Sequence, residues 1–160
     1  MAPRILTMQA NPTTSNGKSG RLRSAVLWVC AMPAVSVFAQ ELPMKIRLHV
    51  NCEMATATLA DNATARDFAA LLPLTITLVD FAKVERIGDL SRRLSTAGAP
   101  AGMDPVVGDI TYYAPWGNLA FFAGDNVYAN GLVRMGKADT GLAALQRPGP
   151  LKVCIERIQD

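Results

Sequence analysis

The densest group of side chains suited to binding lies in one short stretch beyond the middle of the chain. This stretch contains, in order, Tyr112, Tyr113, Trp116, Asn118, Phe121 and Phe122. Pro115 and Gly117 flank Trp116 and predict a turn that leaves the indole exposed, where an aromatic ring more readily serves binding. Apolar runs such as Phe121-Phe122 normally pack, so core filling is the alternative for these rings. We predict that the six side chains form a ligand-binding surface.

Two neighbouring arginines, Arg92 and Arg93, are the only candidates for a catalytic cation. The alternative is that the pair is solvated or that one arginine pairs with Asp89, as surface charges commonly do. The single histidine, His49, lies on the polar face of a predicted strand, and no neighbour supports a Ser-His-Asp triad. The catalytic residues therefore stay unassigned.

Motifs for metals, nucleotides and cofactors are missing from the sequence. One histidine and three cysteines do not give the clustered spacing of a zinc site. Asp104, Asp109 and Asp125 each stand beside Pro or Gly, which favours turns over a cation site. We predict no metal site and no cofactor.

The first 39 residues have the parts of a secretory signal peptide. A polar segment without acidic residues ends in Arg21-Leu22-Arg23, and an apolar run follows from Ala25 to Ala39, interrupted by Pro33. A buried helix or an uncleaved anchor is the alternative, but one short stretch that contains a proline suits neither. We predict a signal peptide over residues 1–39, one mature domain over residues 40–160, and a periplasmic or secreted location.

The charge of the predicted mature domain indicates what it does not bind. The whole chain of 160 residues has a net charge of +3, yet all 13 acidic residues follow position 40. Residues 41–160 hold 12 basic and 13 acidic groups, a net charge of −1. We therefore expect no nucleic-acid partner, and no stretch there is long and apolar enough for a membrane-spanning helix. The expected partner is a peptide or a small molecule.

Export makes a disulfide one of two alternatives for Cys52 and Cys154, the even pair that remains after the leader. Cys52 is predicted in a turn after the first strand, and Cys154 alternates with the apolar positions of the last strand. If the two strands pair, one bridge joins the ends of the domain. If the side chains do not meet, both cysteines are free thiols.

Short alternating segments predict a mainly β domain. Ile46, Leu48 and Val50 alternate with polar residues and begin the series. Further strands are predicted over residues 55–59, 74–78, 87–94, 110–114, 119–123, 132–135 and 151–155. A capping box from Thr64 to Asp67 and a cap at Asp139 predict two short helices. Many short strands and two helices indicate a closed barrel with helical plugs.

Three segments in the same order resemble the small bacterial and archaeal cyclophilin-like domains. They are Thr64–Leu74, Leu94–Gly102 and Gly108–Phe122, and the similarity extends from about Met44 to Arg157. The resemblance implies a closed eight-stranded antiparallel barrel capped by two short helices, with the first and last strands adjacent. Classical cyclophilins of this fold are peptidyl-prolyl isomerases, in which the N–H groups of an arginine point at the prolyl nitrogen and weaken the partial double bond of the amide. By this resemblance Phe122, and less closely Phe121, matches the phenylalanine of their proline pocket.

Two functional hypotheses follow. The first is an exported binding domain without efficient catalysis, whose pocket is lined by Phe122, Tyr113 and Trp116 with an arginine at its mouth. It would hold a peptide segment or a small apolar ligand. The second is a weak prolyl isomerase that acts on envelope or secreted proteins. The classical histidine is absent and the surroundings of Arg92 and Arg93 do not match the classical arginine strand, which favours the first hypothesis.

Overall fold

A computed structural model describes residues 43–159 and shows a closed β-barrel with two short helices. The predicted signal peptide lies outside the described residues. The strands are β1 (Lys45–Val50), β2 (Glu53–Leu59), β3 (Leu74–Phe81), β4 (Glu85–Asp89), β5 (Gly102–Met103), β6 (Asp109–Tyr113), β7 (Asn118–Phe122), β8 (Ala129–Asn130), β9 (Leu132–Thr140) and β10 (Leu151–Arg157). The helices are α1 (Ala63–Ala69) and α2 (Leu142–Leu145).

Eight antiparallel strands close the barrel in the order β1-β10-β3-β4-β7-β6-β9-β2. The first and last strands pair, with Leu48 opposite Ile155 and Val50 opposite Val153. The other two strands, β5 and β8, form a separate two-stranded sheet. The predicted fold class, a closed eight-stranded antiparallel barrel with two short helices, is confirmed.

The barrel interior is filled by the inward-facing residue of every second strand position, together with one side of each helix. On β1 the predicted alternation holds, and Ile46, Leu48 and Val50 are buried. Phe68 on α1 and Leu145 on α2 are buried in the same core. Each fully buried aliphatic or aromatic side chain of this size contributes about 1.5–3 kcal/mol through removal from water.

The start of α1 differs from the predicted capping box at Thr64. Asn62 is the N-cap, and its Oδ1 accepts a hydrogen bond of 2.8 Å from the Ala65 N–H. Thr64 lies inside the helix, where its hydroxyl donates a 2.7 Å hydrogen bond to the Ser95 carbonyl oxygen. The Asp67 carboxylate accepts 2.7 Å from the Ser95 N–H, so it does not reach back to the cap. Both predicted capping side chains instead hold the loop that follows β4.

Two further boundaries were predicted wrongly. Asp139 does not cap α2, because it belongs to the extended strand β9 and accepts a 2.8 Å hydrogen bond from the Thr58 hydroxyl. The N-cap is Gly141, whose φ of 72° lies in the left-handed region that glycine adopts without strain. The strand predicted over residues 87–94 is β4, which already begins at Glu85 and ends at Asp89.

Both Cys52 and Cys154 are free thiols, and Cys52 is exposed. Cys154 pairs in register with His49 on β1, whereas Cys52 lies three positions beyond His49 in the turn after that strand. Cys52 belongs to the two-residue turn between β1 and β2, so it lies past the last paired residues of β1 and β10 and not opposite Cys154. The structure therefore corresponds to the free-thiol alternative.

A second, smaller apolar cluster lies outside the barrel on β7. Leu119 and Phe121 face the barrel core, while Ala120 and Phe122 point the other way and are equally buried. Leu132 of β9 completes this outer cluster, against which partly buried Ile87, Met103, Tyr113 and Ala129 pack. All five residues of β7 are consequently buried, as its uninterrupted apolar pattern indicates.

Candidate functional site

A cavity of about 190 Å³ lies against the outer cluster, between the outer face of the barrel and the loop segments beside β5 and β8. We call it the outer cavity. Its lining comes from five barrel strands, from β8, from one turn and from two loops, and comprises Phe81, Glu85, Ile87, Pro105, Tyr113, Trp116, Asn118, Ala120, Phe122, Asn126, Val127, Ala129 and Leu132. Most of these residues are apolar, as in typical ligand pockets.

Strand register gives the outer cavity its floor and its two ends. Ile87 on β4 stands opposite Ala120 on β7, and the small alanine leaves room above the sheet. One end is formed by the cross-strand pair Glu85 and Phe122. The other end is formed by Asn118, which stands opposite Tyr113 on β6. The two ends are separated by four positions of β7, which is about 13 Å along a strand.

Three aromatic rings meet edge to face beside this floor. The Trp116 ring lies 5.5 Å from the ring of Phe81 and 5.3 Å from the ring of Tyr113, with interplanar angles of 89° and 82°. These separations and angles are those that aromatic quadrupoles favour. Trp116 nevertheless remains 58% exposed. An apolar ring held in a fixed orientation but left open to water is a typical contact point for a ligand.

The turn that carries Trp116 is fixed from two sides. Gly117 has a φ of 79°, a conformation that favours glycine, and its N–H donates a 2.8 Å hydrogen bond to the Tyr113 carbonyl oxygen. The Arg93 guanidinium donates to the carbonyl oxygen of Ala114 at 2.7 Å and to that of Pro115 at 3.3 Å. Arg93 thus holds the two residues immediately before Trp116.

Two polar side chains, Asn118 and Glu85, lie at opposite ends of the outer cavity, which Tyr113 and Asn126 also line. Asn118 is only 2% exposed, and its Oδ1 has no hydrogen-bond partner. A buried acceptor left without a donor costs about 1–3 kcal/mol, so such groups call for an explanation. At the other end burial raises the pKa of the Glu85 carboxyl above its ordinary range. No basic residue is among the lining residues.

The structure brings four of the six predicted binding residues together at the outer cavity: Tyr113, Trp116, Asn118 and Phe122. Tyr112 and Phe121 do not line it, because strand alternation turns them into the barrel core. There the Tyr112 hydroxyl accepts a 3.1 Å hydrogen bond from the Leu94 N–H. For these two residues the core-filling alternative holds.

Phe81, Glu85 and Ile87 line the outer cavity but are not among the residues predicted from the sequence. The signal for Phe81 was present, since Thr75 and Thr77 occupy the outward positions of β3 but the same face continues with Val79 and Phe81. The outward face of a strand changes from polar to apolar where another segment or a ligand covers it. Glu85 carried no comparable signal, because its burial depends on distant loops.

Neither candidate arginine lines the outer cavity. Arg92 forms an ion pair with Asp67 and also donates to the carbonyl oxygens of Asp67 and Arg93. The predicted partner Asp89 is therefore not the one it uses. A third arginine, Arg86, is buried and donates to the carbonyl oxygens of Leu145 and Gly149 while pairing with Asp80. All three guanidinium groups bind parts of the domain itself.

Within residues 43–159, no group of three or more His, Cys, Asp or Glu side chains converges as a metal site would require. The same part of the chain contains no helix long and apolar enough to cross a membrane.

The closed eight-stranded barrel with two short helices defines a cyclophilin-like domain. The model of the cyclophilin-like family matches residues 48–156, well over half of the chain, and the chain belongs to that family.

Among solved structures, the chain is similar to the solution structure of a hypothetical protein from Archaeoglobus fulgidus, with a TM-score of 0.59 and 18% sequence identity. The match covers 76% of this chain and 99% of that one. At this identity the likeness shows the fold alone. No protein with a curated description matches the chain.

Proposed function

We propose that this chain is an exported binding domain that holds a peptide segment, or a small and largely apolar ligand, in the outer cavity. The observation that carries the proposal is the exposed Trp116 ring, held edge to face between Phe81 and Tyr113 beside the cavity. Interface energy concentrates in such aromatic anchors next to apolar pockets.

The size of the outer cavity favours one side chain of a peptide as the bound group. Drug-sized ligands occupy pockets of about 300–1,000 Å³, whereas a cavity of about 150 Å³ takes a molecule the size of benzene. The outer cavity, at about 190 Å³, belongs with the second class. A peptide that inserts one side chain can leave its remaining residues against the exposed rings of Trp116 and Tyr128.

The absence of a basic residue from the lining favours binding over catalysis. Prolyl isomerisation by the expected route needs N–H groups of a cation beside the prolyl nitrogen. Arg92 and Arg93, the two candidates, bind Asp67 and the turn before Trp116 instead. The isomerase hypothesis would therefore need a different cation.

Fluorescence of Trp116 tests the proposal directly. The full chain has two tryptophans, so a Trp28→Phe background leaves Trp116 as the sole reporter. The probes are capped pentapeptides Ala-Ala-Xaa-Ala-Ala, with Xaa as Leu, Phe, Pro, Lys, Arg, norleucine or Glu. We expect saturable quenching or a spectral shift with at least one of them.

Calorimetry with two variants of β3 controls for non-specific contact. Phe81→Ala removes a cavity residue, and Val79→Ala removes a similarly exposed apolar side chain that does not line the cavity. Binding should fall in the first variant and persist in the second. If no peptide shows saturable binding, the proposal is wrong.

Export is tested separately by N-terminal sequencing of the protein recovered from outside the cytoplasm. We expect the sequence to start near Gln40.

A further inference from the structure

Two polar groups of the outer cavity, the Asn118 side-chain oxygen and the Glu85 carboxylate, accept hydrogen bonds and lie at its opposite ends. The Asn118 Oδ1 is buried without a donor. Glu85 forms no ion pair among the residues that the structure describes, and burial is the sole cause of its raised pKa. Between them lie the apolar side chains of Ile87 and Ala120. A complementary ligand must therefore bring donors at both ends and an apolar middle.

A single ammonium group cannot satisfy both acceptors, because Asn118 and the Glu85–Phe122 pair stand four strand positions apart. That separation is about 13 Å before the side chains turn toward each other. A residue with a long basic side chain spans such a distance and carries hydrogen-bond donors at both ends. A lysine or an arginine carries a backbone N–H, an aliphatic stem, and a cationic group with several donors at the far end.

The geometry points to a basic side chain, lysine or arginine within an extended peptide, as the group that the outer cavity recognises. The inference rests on the proposed function and names its substrate class. The N–H of the bound residue donates to Asn118 Oδ1, its stem lies over Ile87 and Ala120, and its cationic group meets the Glu85 carboxylate.

Aromatic residues on both sides of Glu85 also favour a bound cation. Phe81 and Phe122 are the residues directly opposite Glu85 on the two neighbouring strands, so both rings rise from the sheet next to the carboxylate. Aromatic faces attract cations, and a desolvated contact of this kind contributes more than an exposed one. No basic residue of the lining competes for the carboxylate.

The affinity for a basic side chain should depend on pH through the ionisation of Glu85. A cation beside the carboxylate offsets the burial that raises the pKa of Glu85, so binding lowers that pKa and releases a proton. Tyr113 is the other titratable residue of the lining, and the strand neighbours of Glu85 are the uncharged Phe81 and Phe122. Affinity for a basic peptide should consequently rise as pH rises through the pKa of Glu85 in the free protein and level off above it.

The decisive measurement is the affinity ratio between Lys and norleucine at position Xaa of the pentapeptides, since the two side chains share the stem and differ in the charge. At low ionic strength and neutral pH we expect the Lys or Arg peptide to bind about tenfold more tightly than the norleucine peptide. We expect Glu85→Gln to reduce that ratio to within about twofold.

Asp89→Asn is the matched control, because it removes the same charge from the same strand at a residue outside the lining. The ratio should persist in this variant. Asn118→Leu provides a second arm: it should weaken the Lys and norleucine peptides by a similar factor, because the amide oxygen takes the backbone N–H common to both.

Three results overturn the inference. Equal affinity for Lys and norleucine would remove the role of the charge and leave the proposed function in place. A ratio that survives Glu85→Gln in a folded variant, as judged by its thermal transition, would exclude Glu85 as the acceptor. Failure of every peptide to bind would remove the proposed function together with this inference.

Discussion

The guanidinium of Arg93 and the carbonyl oxygen of Ala114 are joined by a 2.7 Å hydrogen bond that ties the loop after β4 to the turn between β6 and β7. The same guanidinium donates a second hydrogen bond, of 3.3 Å, to the carbonyl oxygen of Pro115. Such a fork fixes both position and orientation. Arg93 therefore acts on the outer cavity through Trp116, at a distance from any ligand.

Replacement of Arg93 by alanine should loosen this turn without removing any lining residue. We expect peptide affinity to fall by about three- to tenfold, because a ligand must then order Trp116 on binding. Fluorescence anisotropy of Trp116 in the Trp28→Phe background should fall in parallel. Arg66→Ala, which removes an exposed arginine paired with Asp61, is the control. Unchanged anisotropy in the Arg93 variant would contradict the positioning role.

Isomerase activity has a separate test. In a protease-free exchange assay on short Xaa-Pro peptides, we expect no acceleration of cis–trans interconversion by the full chain. The reason is that no guanidinium or ammonium group lines the outer cavity. A clear rate enhancement that disappears in Arg92→Ala or Arg93→Ala would show that the cation reaches the substrate in a conformation other than the one described here.

Phe121 and Phe122 offer a matched pair of substitutions. Replacement of either by leucine should destabilise the domain by about 1 kcal/mol, because both rings are buried. Phe122→Leu changes the outer cavity, whereas Phe121→Leu changes the barrel core. Calorimetric titration should therefore show altered peptide affinity for Phe122→Leu alone. Equal effects on affinity would mean that the fold, and not the cavity wall, controls binding.

Glu85→Gln should stabilise the ligand-free domain at neutral pH. Because the folded state raises the pKa of Glu85, the protonated carboxyl favours folding, and that contribution is lost as pH rises through the raised value. Glutamine does not ionise. Melting temperatures of the two proteins should agree below the ordinary value of 4.5 and separate above it, with the variant higher. A variant that melts lower at neutral pH would contradict the desolvation of Glu85.

Asp67 should show the opposite pH dependence. Hydrogen bonds from Arg92 and from the Ser95 N–H lower the pKa of the Asp67 carboxyl. The contribution of the carboxylate to stability is therefore present above the ordinary value of 3.8 and is lost as pH falls through the lowered one. Asp67→Asn should cost about 1 kcal/mol in urea unfolding at neutral pH. The difference from the unsubstituted protein should shrink in acid, and a constant difference would refute the charge dependence.

Alternation and family resemblance were sufficient to predict the barrel, since each strand repeats a pattern with period two. They were not sufficient to divide the aromatic stretch. Tyr112 and Tyr113 are neighbours in sequence, yet one enters the core and the other faces the outer cavity. Which of the two faces the core depends on the register between β6 and β7, in which Tyr112 pairs with Leu119 and Tyr113 pairs with Asn118.

Long-range contacts account for the remaining errors. The capping box at Thr64 was a sound local prediction, but Ser95 lies 31 residues away and takes the hydroxyl. Glu85 gained its cavity role from Asn126 and Val127, which the sequence places in a distant loop. The sequence of a strand alone does not predict which distant loop will cover that strand.

The outer cluster and the barrel core share β7 but lie against its two opposite faces. A substitution at Ile87, Ala120 or Leu132 would change the shape of the outer cavity and leave the side chains of the barrel core unchanged. One face of β7 therefore helps to fill the closed barrel, and its other face forms the floor of the outer cavity.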